Sequence, residues 1–131
     1  MKDEERYEAG LNVRREVLGD EYVDRSLANA DEFTKPFQDL VSRYCWGDIW
    51  IRKGLDRKQR SIVNIAMIAA LNRPHELKLH VRGALNNGLS REEIREILLQ
   101  VAVYCGIPAG LDSFRLAREV FLELDEAADQ R

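Results

Sequence analysis

Apolar residues recur at helical spacing in segment after segment of this chain, and nowhere do apolar and polar residues alternate long enough to make a strand. The clearest case opens at Ser90, which with Glu93 three residues later has the form of a capping box. It continues through Ile94, Ile97, Leu98, Val101 and Ala102 on one helical face and ends near Tyr104, Cys105 and Gly106. Such patterning confines the fold to helices packed on helices. The expectation is an all-α, single-domain bundle of about six helices, since 131 residues can bury one core but not two independent ones. The domain is expected to fill 1–131, with a core at 34–124 and a helical extension at 1–33.

The remaining segments fit the same scheme. Asp3 to Leu18 carries Leu11, Val13, Val17 and Leu18 among charges and stops at Gly19. A short helix around Glu21 to Asn29 follows, and Thr34, Lys35 and Pro36 start another that bears Phe37, Leu40, Val41 and Tyr44. Cys45 to Trp50 reads as irregular and aromatic. Asp56 and Gln59 resemble a second capping box, opening a stretch from Ile62 to Leu71 that is apolar on every side except Asn64. That helix is expected at the buried centre, with Asn64 a buried amide satisfying a neighbouring backbone group. Pro74 suits a first helical position, and the helix it opens carries Leu77, Val81, Ala84 and Leu85 before stopping at Asn86, Asn87 and Gly88. After Ile107 and Pro108 a last helix carries Leu111, Phe114, Leu116, Ala117, Val120, Phe121 and Leu124. These spread over more than one narrow face, and each large apolar side chain left wet forgoes about 1.5–3 kcal/mol. Burial against another subunit is therefore expected, which makes the protein an oligomer.

Composition removes several classes of function. A net charge of −3 gives no electrostatic reason to bind nucleic acid, and the basic group Arg52, Lys53, Arg57, Lys58 and Arg60 reads as a solvated loop and helix entry or as an anion-attracting mouth. No apolar run is long enough to span a bilayer, and the charged start of the chain lacks a secretory core, so a cytoplasmic, membrane-free protein is expected. Cys45 and Cys105 belong to no C-x-x-C pair and are expected as reduced, buried thiols. With only two histidines and no metal-site spacing, no metal is expected, and no phosphate loop, nucleophile elbow or dinucleotide fingerprint is present. Chemistry without a cofactor is what remains.

Glu76 and His80 lie four apart on one helix, within mutual reach. A carboxylate there would raise the imidazole pKa and fix its tautomer, as a proton-transfer pair requires, although the same spacing describes an ordinary surface pair. Arg73, just before Pro74, could grip a carboxylate bidentately or be a plain surface charge, and His75 falls on a different, solvated face. Tyr104 to Pro108 lies at a break between helices, where a phenol and backbone amides can face a cavity or merely end a turn. Trp46 and Trp50 could wall an apolar pocket or pack a core.

From Leu55 to Phe121 the chain resembles the carboxymuconolactone decarboxylase family within the wider alkylhydroperoxidase D-like group. The carrying runs are Leu55 to Ser61 leading into Ile65 to Leu71, then Glu76 to Gly88. The most specific is Glu92 to Ala109, with Asp112, Ser113 and Phe114 after it. The peroxidase branch of that group uses a glutamate, a C-x-x-C pair and a histidine. His80 matches the histidine, but Ser61, Arg73 and Glu76 stand at the other positions, so no resolving disulfide can form. The resemblance implies decarboxylation of gamma-carboxymuconolactone, a small lactone carboxylate, to the beta-ketoadipate enol-lactone in protocatechuate breakdown. It also implies a homohexamer built as a trimer of dimers. On this reading His80 and Glu76 are catalytic, Arg73 holds a substrate carboxylate, and Tyr104 or a backbone amide near Gly106 faces the developing oxyanion. Trp46, Ile65 and Ile107 then form apolar walls. The competing expectations are a related decarboxylase or isomerase acting on another unsaturated lactone or keto acid, and a non-catalytic helical assembly module.

Overall fold

A computed structural model describes residues 1–130. Among them the chain is all helix: α1 (Asp3–Leu18), α2 (Asp20–Ala28), α3 (Lys35–Leu40), a π-helical segment (Val41–Trp50), α4 (Arg57–Ala70), α5 (Pro74–Asn86), α6 (Arg91–Cys105) and α7 (Ile107–Asp129). The all-α expectation holds: the seven α-helices, against a total of about six expected, each fall on a segment read as helical. The aromatic stretch expected to be irregular is instead a wide-turned helix. The chain divides into two compact units, Met1–Arg57 and Lys58–Arg131, so the first three helices share a unit with the π segment.

In the first unit, α1 begins with Asp3, Glu4 and Glu5 and has Arg15 in its last turn, charges placed to oppose the helix dipole at both ends. Its inward face is Gly10, Val13, Arg14 and Val17. Val13 and Val17 pack with Trp46 and Trp50, whose rings stack with centroids 4.8 Å apart. Gly10 and Gly47 let two backbones touch. A Cβ on Gly10 would lie 2.1 Å from the Ser42 carbonyl oxygen, and one on Gly47 would lie 2.2 Å from that of Arg6. The two Trp residues thus build a core, the plainer of the readings their sequence allowed.

The second unit has a larger aliphatic centre, built from Ile65 and Ala69 of α4, Leu77, Val81 and Ala84 of α5, Ile94, Leu98 and Val101 of α6, and Leu116, Ala117 and Val120 of α7. The Ser90 capping box forms as expected: the Ser90 hydroxyl accepts from the Glu93 amide at 3.0 Å and the Glu93 carboxylate accepts from the Ser90 amide at 3.0 Å. Exposed ion pairs tie α7 to its neighbours, Lys78 to Glu123 at 2.8 Å and Arg91 to Asp125 at 2.7 Å, with Arg82 also on Glu123.

Two expectations fail here. Helix α4 is not buried all round, because only Ser61, Ile65 and Ala69 point fully inward, whereas Ile62, Val63 and Met67 are exposed, as is Leu71 just past its end, and Asn64 is half-buried. One unit has a single layer of neighbours to offer a helix, so an all-apolar helix keeps a wet side. Cys45 and Cys105 are free as expected but exposed rather than buried.

Candidate active site

Helix α5 presents the titratable group that stands out from the rest of its unit. Asn72 takes a left-handed conformation, φ 57°, to turn the chain out of α4, and Pro74 starts the new helix with its missing amide at no cost. The stripe of Leu77, Val81 and Ala84 then faces the core, and His80 is placed beside it. Its Nδ1 has no access to solvent, and burial lowers the imidazole pKa from its ordinary 6.5 to about 4. The ring is accordingly neutral near pH 7, because the charged form would lose its hydration in this setting.

That direction corrects the expectation of a raised pKa. Glu76 is exposed in the first turn of α5, and burial is the one cause of the His80 shift. The spacing allows the two side chains to meet, but the carboxylate stays in water where hydration outweighs a pairing with a neutral ring. Arg73 is exposed as well. Its backbone amide donates to the Ile68 carbonyl at 3.2 Å and its carbonyl accepts from Leu77 at 2.9 Å, so its main chain forms the hinge into α5. His75 is solvated, as expected.

The other expected residues fall elsewhere. Ile65 is fully inside the second core, where it has no surface to offer a ligand. Tyr104 is 83 % exposed at the end of α6 and lines an open apolar groove of about 380 Å³ with Ile62, Val63, Met67, Ile97 and Cys105; His80 is not among the residues lining it. Gly106, at φ 111°, donates its amide to the Ala102 carbonyl at 3.2 Å and ends α6. Ile107 is exposed at the head of α7. Trp46 lies in the first unit's core against Trp50. Ser61 is buried and accepts a hydrogen bond from Asn87 at 2.8 Å, a structural use of the position.

Sequence reasoning passed over Arg14, which is 5 % exposed in the first unit. The signal was present: Gly10, Arg14 and Val17 are spaced i, i+4, i+7, which puts the guanidinium on the inward face of α1. Among the described residues no group of three or more His, Cys, Asp or Glu is arranged to hold a metal, and no helix is long and apolar enough to cross a membrane.

Comparison with known proteins agrees with the pattern on α4 to α7. The model of the carboxymuconolactone decarboxylase family matches residues 35–119. The chain is 45% identical to 4-carboxymuconolactone decarboxylase of Acinetobacter baylyi over 130 residues, covering 99% of this chain and 97% of that protein. It is 41% identical to nitrosuccinic acid decarboxylase of Metarhizium robertsii over 125 residues, 95% of this chain and 87% of that protein. With a 4-carboxymuconolactone decarboxylase of Pseudomonas putida it shares 46% identity over 48 residues, 37% of this chain and 100% of that sequence. With more than half its length matched by the family model and nearly all of it aligned to a decarboxylase, this chain belongs to the carboxymuconolactone decarboxylase family.

Proposed function

We propose that this protein is a carboxy-lyase that removes carbon dioxide from gamma-carboxymuconolactone to give the beta-ketoadipate enol-lactone in aromatic acid catabolism, with His80 as the central catalytic group. The observation that carries the role of His80 is its imidazole, kept neutral by burial on the inward side of α5. The substrate supplies its own electron sink. Its departing carboxylate sits on the carbon gamma to an unsaturated lactone carbonyl. As that carbon–carbon bond breaks, its electron pair moves through the double bond onto the carbonyl oxygen, carbon dioxide leaves, and a dienolate remains. A proton then adds at the alpha carbon.

A neutral imidazole is suited to this sequence. Its N–H can donate to the developing oxyanion, an interaction worth about 3–4 kcal/mol where such a donor is preorganised. A bound dianionic substrate also places negative charge beside the ring, which favours taking up a solvent proton that can pass to the alpha carbon. A water-poor setting favours loss of the charged carboxylate as a neutral gas. Arg73, exposed at the entrance to α5, is assigned the second substrate carboxylate, and Glu76 a solvent-side role in passing protons toward His80. In an ultraviolet assay of lactone decarboxylation, H80A should lose about a thousandfold in turnover while keeping its helical circular dichroism. Near-normal turnover would take His80 out of the mechanism.

The likeness to nitrosuccinic acid decarboxylase favours one second reading, in which a nitro group beside the departing carboxylate accepts the electrons in place of the conjugated lactone. The higher identity and fuller coverage place the lactone first. Comparing kcat/KM on the two substrates decides between them.

Self-association is part of the proposal. Leu71, Val103, Tyr104, Ile107 and Leu111 of the second unit are each more than 60% exposed, a wet apolar surface of the kind that subunit contacts cover. A cytoplasmic homohexamer, a trimer of dimers of one catalytic domain, is the assembly expected. Light scattering that gives a monomer mass at micromolar concentration would overturn it.

A further inference from the structure

A second feature of the molecule asks for a ligand. Arg14 is 5 % exposed, and arginine cannot shed its charge inside a protein. Its hydrogen bonds go to neutral acceptors, Gln38 Oε1 at 3.1 Å and Ser26 Oγ at 3.2 Å, and its Nε has none. Burial lowers its pKa, and the groups that act in the opposite sense are two phenols and a thiol, with no carboxylate among them. A buried cation without a counter-charge is costly enough that proteins seldom leave one so.

The two acceptors line an open surface pocket of about 290 Å³ in the first unit, together with Tyr22, Arg25, Asn29 and Thr34. No Asp or Glu lines it, although the chain has 23 acidic residues against 20 Lys and Arg. One carboxylate, that of Asp31, stands behind the lining, where it accepts from the Thr34 hydroxyl at 3.1 Å. Ser26 Oγ accepts from Arg14 and, at 3.4 Å, from Gln38 Nε2, so its own hydrogen remains to donate. Arg14 holds the oxygen of the Gln38 amide, which turns the amide nitrogen toward Ser26. Arg25 stands at the rim, its guanidinium over the Tyr22 ring at 5.9 Å and paired loosely, at 3.8 Å, to a nearly fully exposed Glu21. Positive charge and hydrogen-bond donors thus converge on a space sized for a small molecule.

We propose that the first unit carries a binding pocket for a small carboxylate, held by Arg25, Ser26, Asn29 and Gln38 and backed by the buried guanidinium of Arg14. The carboxylate is either one borne by the protein's own substrate or product, or a separate metabolite of the same chemistry.

Isothermal titration of the full chain with succinate, at fixed ionic strength and with succinamide as the uncharged control, tests the pocket. The wild type should bind succinate and not succinamide. S26A and R25Q should each weaken binding about tenfold, the scale of one hydrogen bond to a charged group, and R14M should abolish it. Arg25 is exposed, so R25Q keeps the test decisive even where R14M fails to fold. Binding equal to that of succinamide, or unchanged in S26A and R25Q, overturns the pocket. A raised KM with kcat retained in S26A and R25Q assigns it to a carboxylate of the substrate. Unchanged kinetic constants with succinate binding lost assign it to a separate carboxylate.

Discussion

In the second unit, α5, α6 and α7 meet through interlocked aliphatic side chains, and the titratable group turned inward is a half-buried histidine that can stay neutral. In the first unit, α1 and the π segment meet backbone against backbone at Gly10 and Gly47, and the buried titratable group is an arginine that cannot. The difference shows two ways of burying a polar residue. A group with a neutral form can adapt to a dry site by giving up its charge, whereas a permanent cation obliges the site to find it an anion.

That contrast can be broken or sharpened by measurement. The largest effect on stability should come from Leu98→Ala, which empties the centre of the aliphatic core and should cost on the order of 4 kcal/mol in denaturant unfolding; a loss below 1 kcal/mol would mean that the second unit does not rest on side-chain packing. Next comes pH. With its folded pKa at about 4, His80 remains neutral where the unfolded chain, at 6.5, takes up a proton. Stability is therefore complete above pH 6.5 and falls as pH drops toward 4, by about 3 kcal/mol in full, before levelling. H80Q should flatten that limb of the curve, and an unchanged slope would place the titration on another group.

Smaller effects probe the backbone contact. Gly47→Ala drives a Cβ against the Arg6 carbonyl and should cost about 2 kcal/mol, with faster amide exchange in α1 and the π segment as the local sign. Full tolerance would show that the approach relaxes freely. Last, Ser90→Ala removes one side of the capping box and should cost about 1 kcal/mol, seen as fraying at the start of α6.

How far the fold could be read in advance follows the same division. The caps and stripes of α5 and α6 were legible because local hydrogen bonding and apolar period agree with the final packing there. Cys45 to Trp50 was not, since a π turn depends on the partner backbone that Gly47 admits and leaves no period of its own. The site was legible in part. His80 could be placed beside a core stripe from spacing alone, but the sign of its pKa shift could not, because spacing reports which side chains can meet and not which of them keeps its water.

Sequence alone determined the helical class, the helix stops at Gly19 and Gly106, the capping box of α6 and the face of α5 that carries His80, all consequences of interactions within a few residues along the chain. Tertiary structure decided that α4 keeps an exposed apolar side, that Glu76 stays in solvent while His80 loses its charge, and that Arg14 is enclosed beside an open pocket rich in donors. These are matters of desolvation. The free energy of a charge or an apolar surface depends on everything packed around it, and that is settled only when distant segments meet.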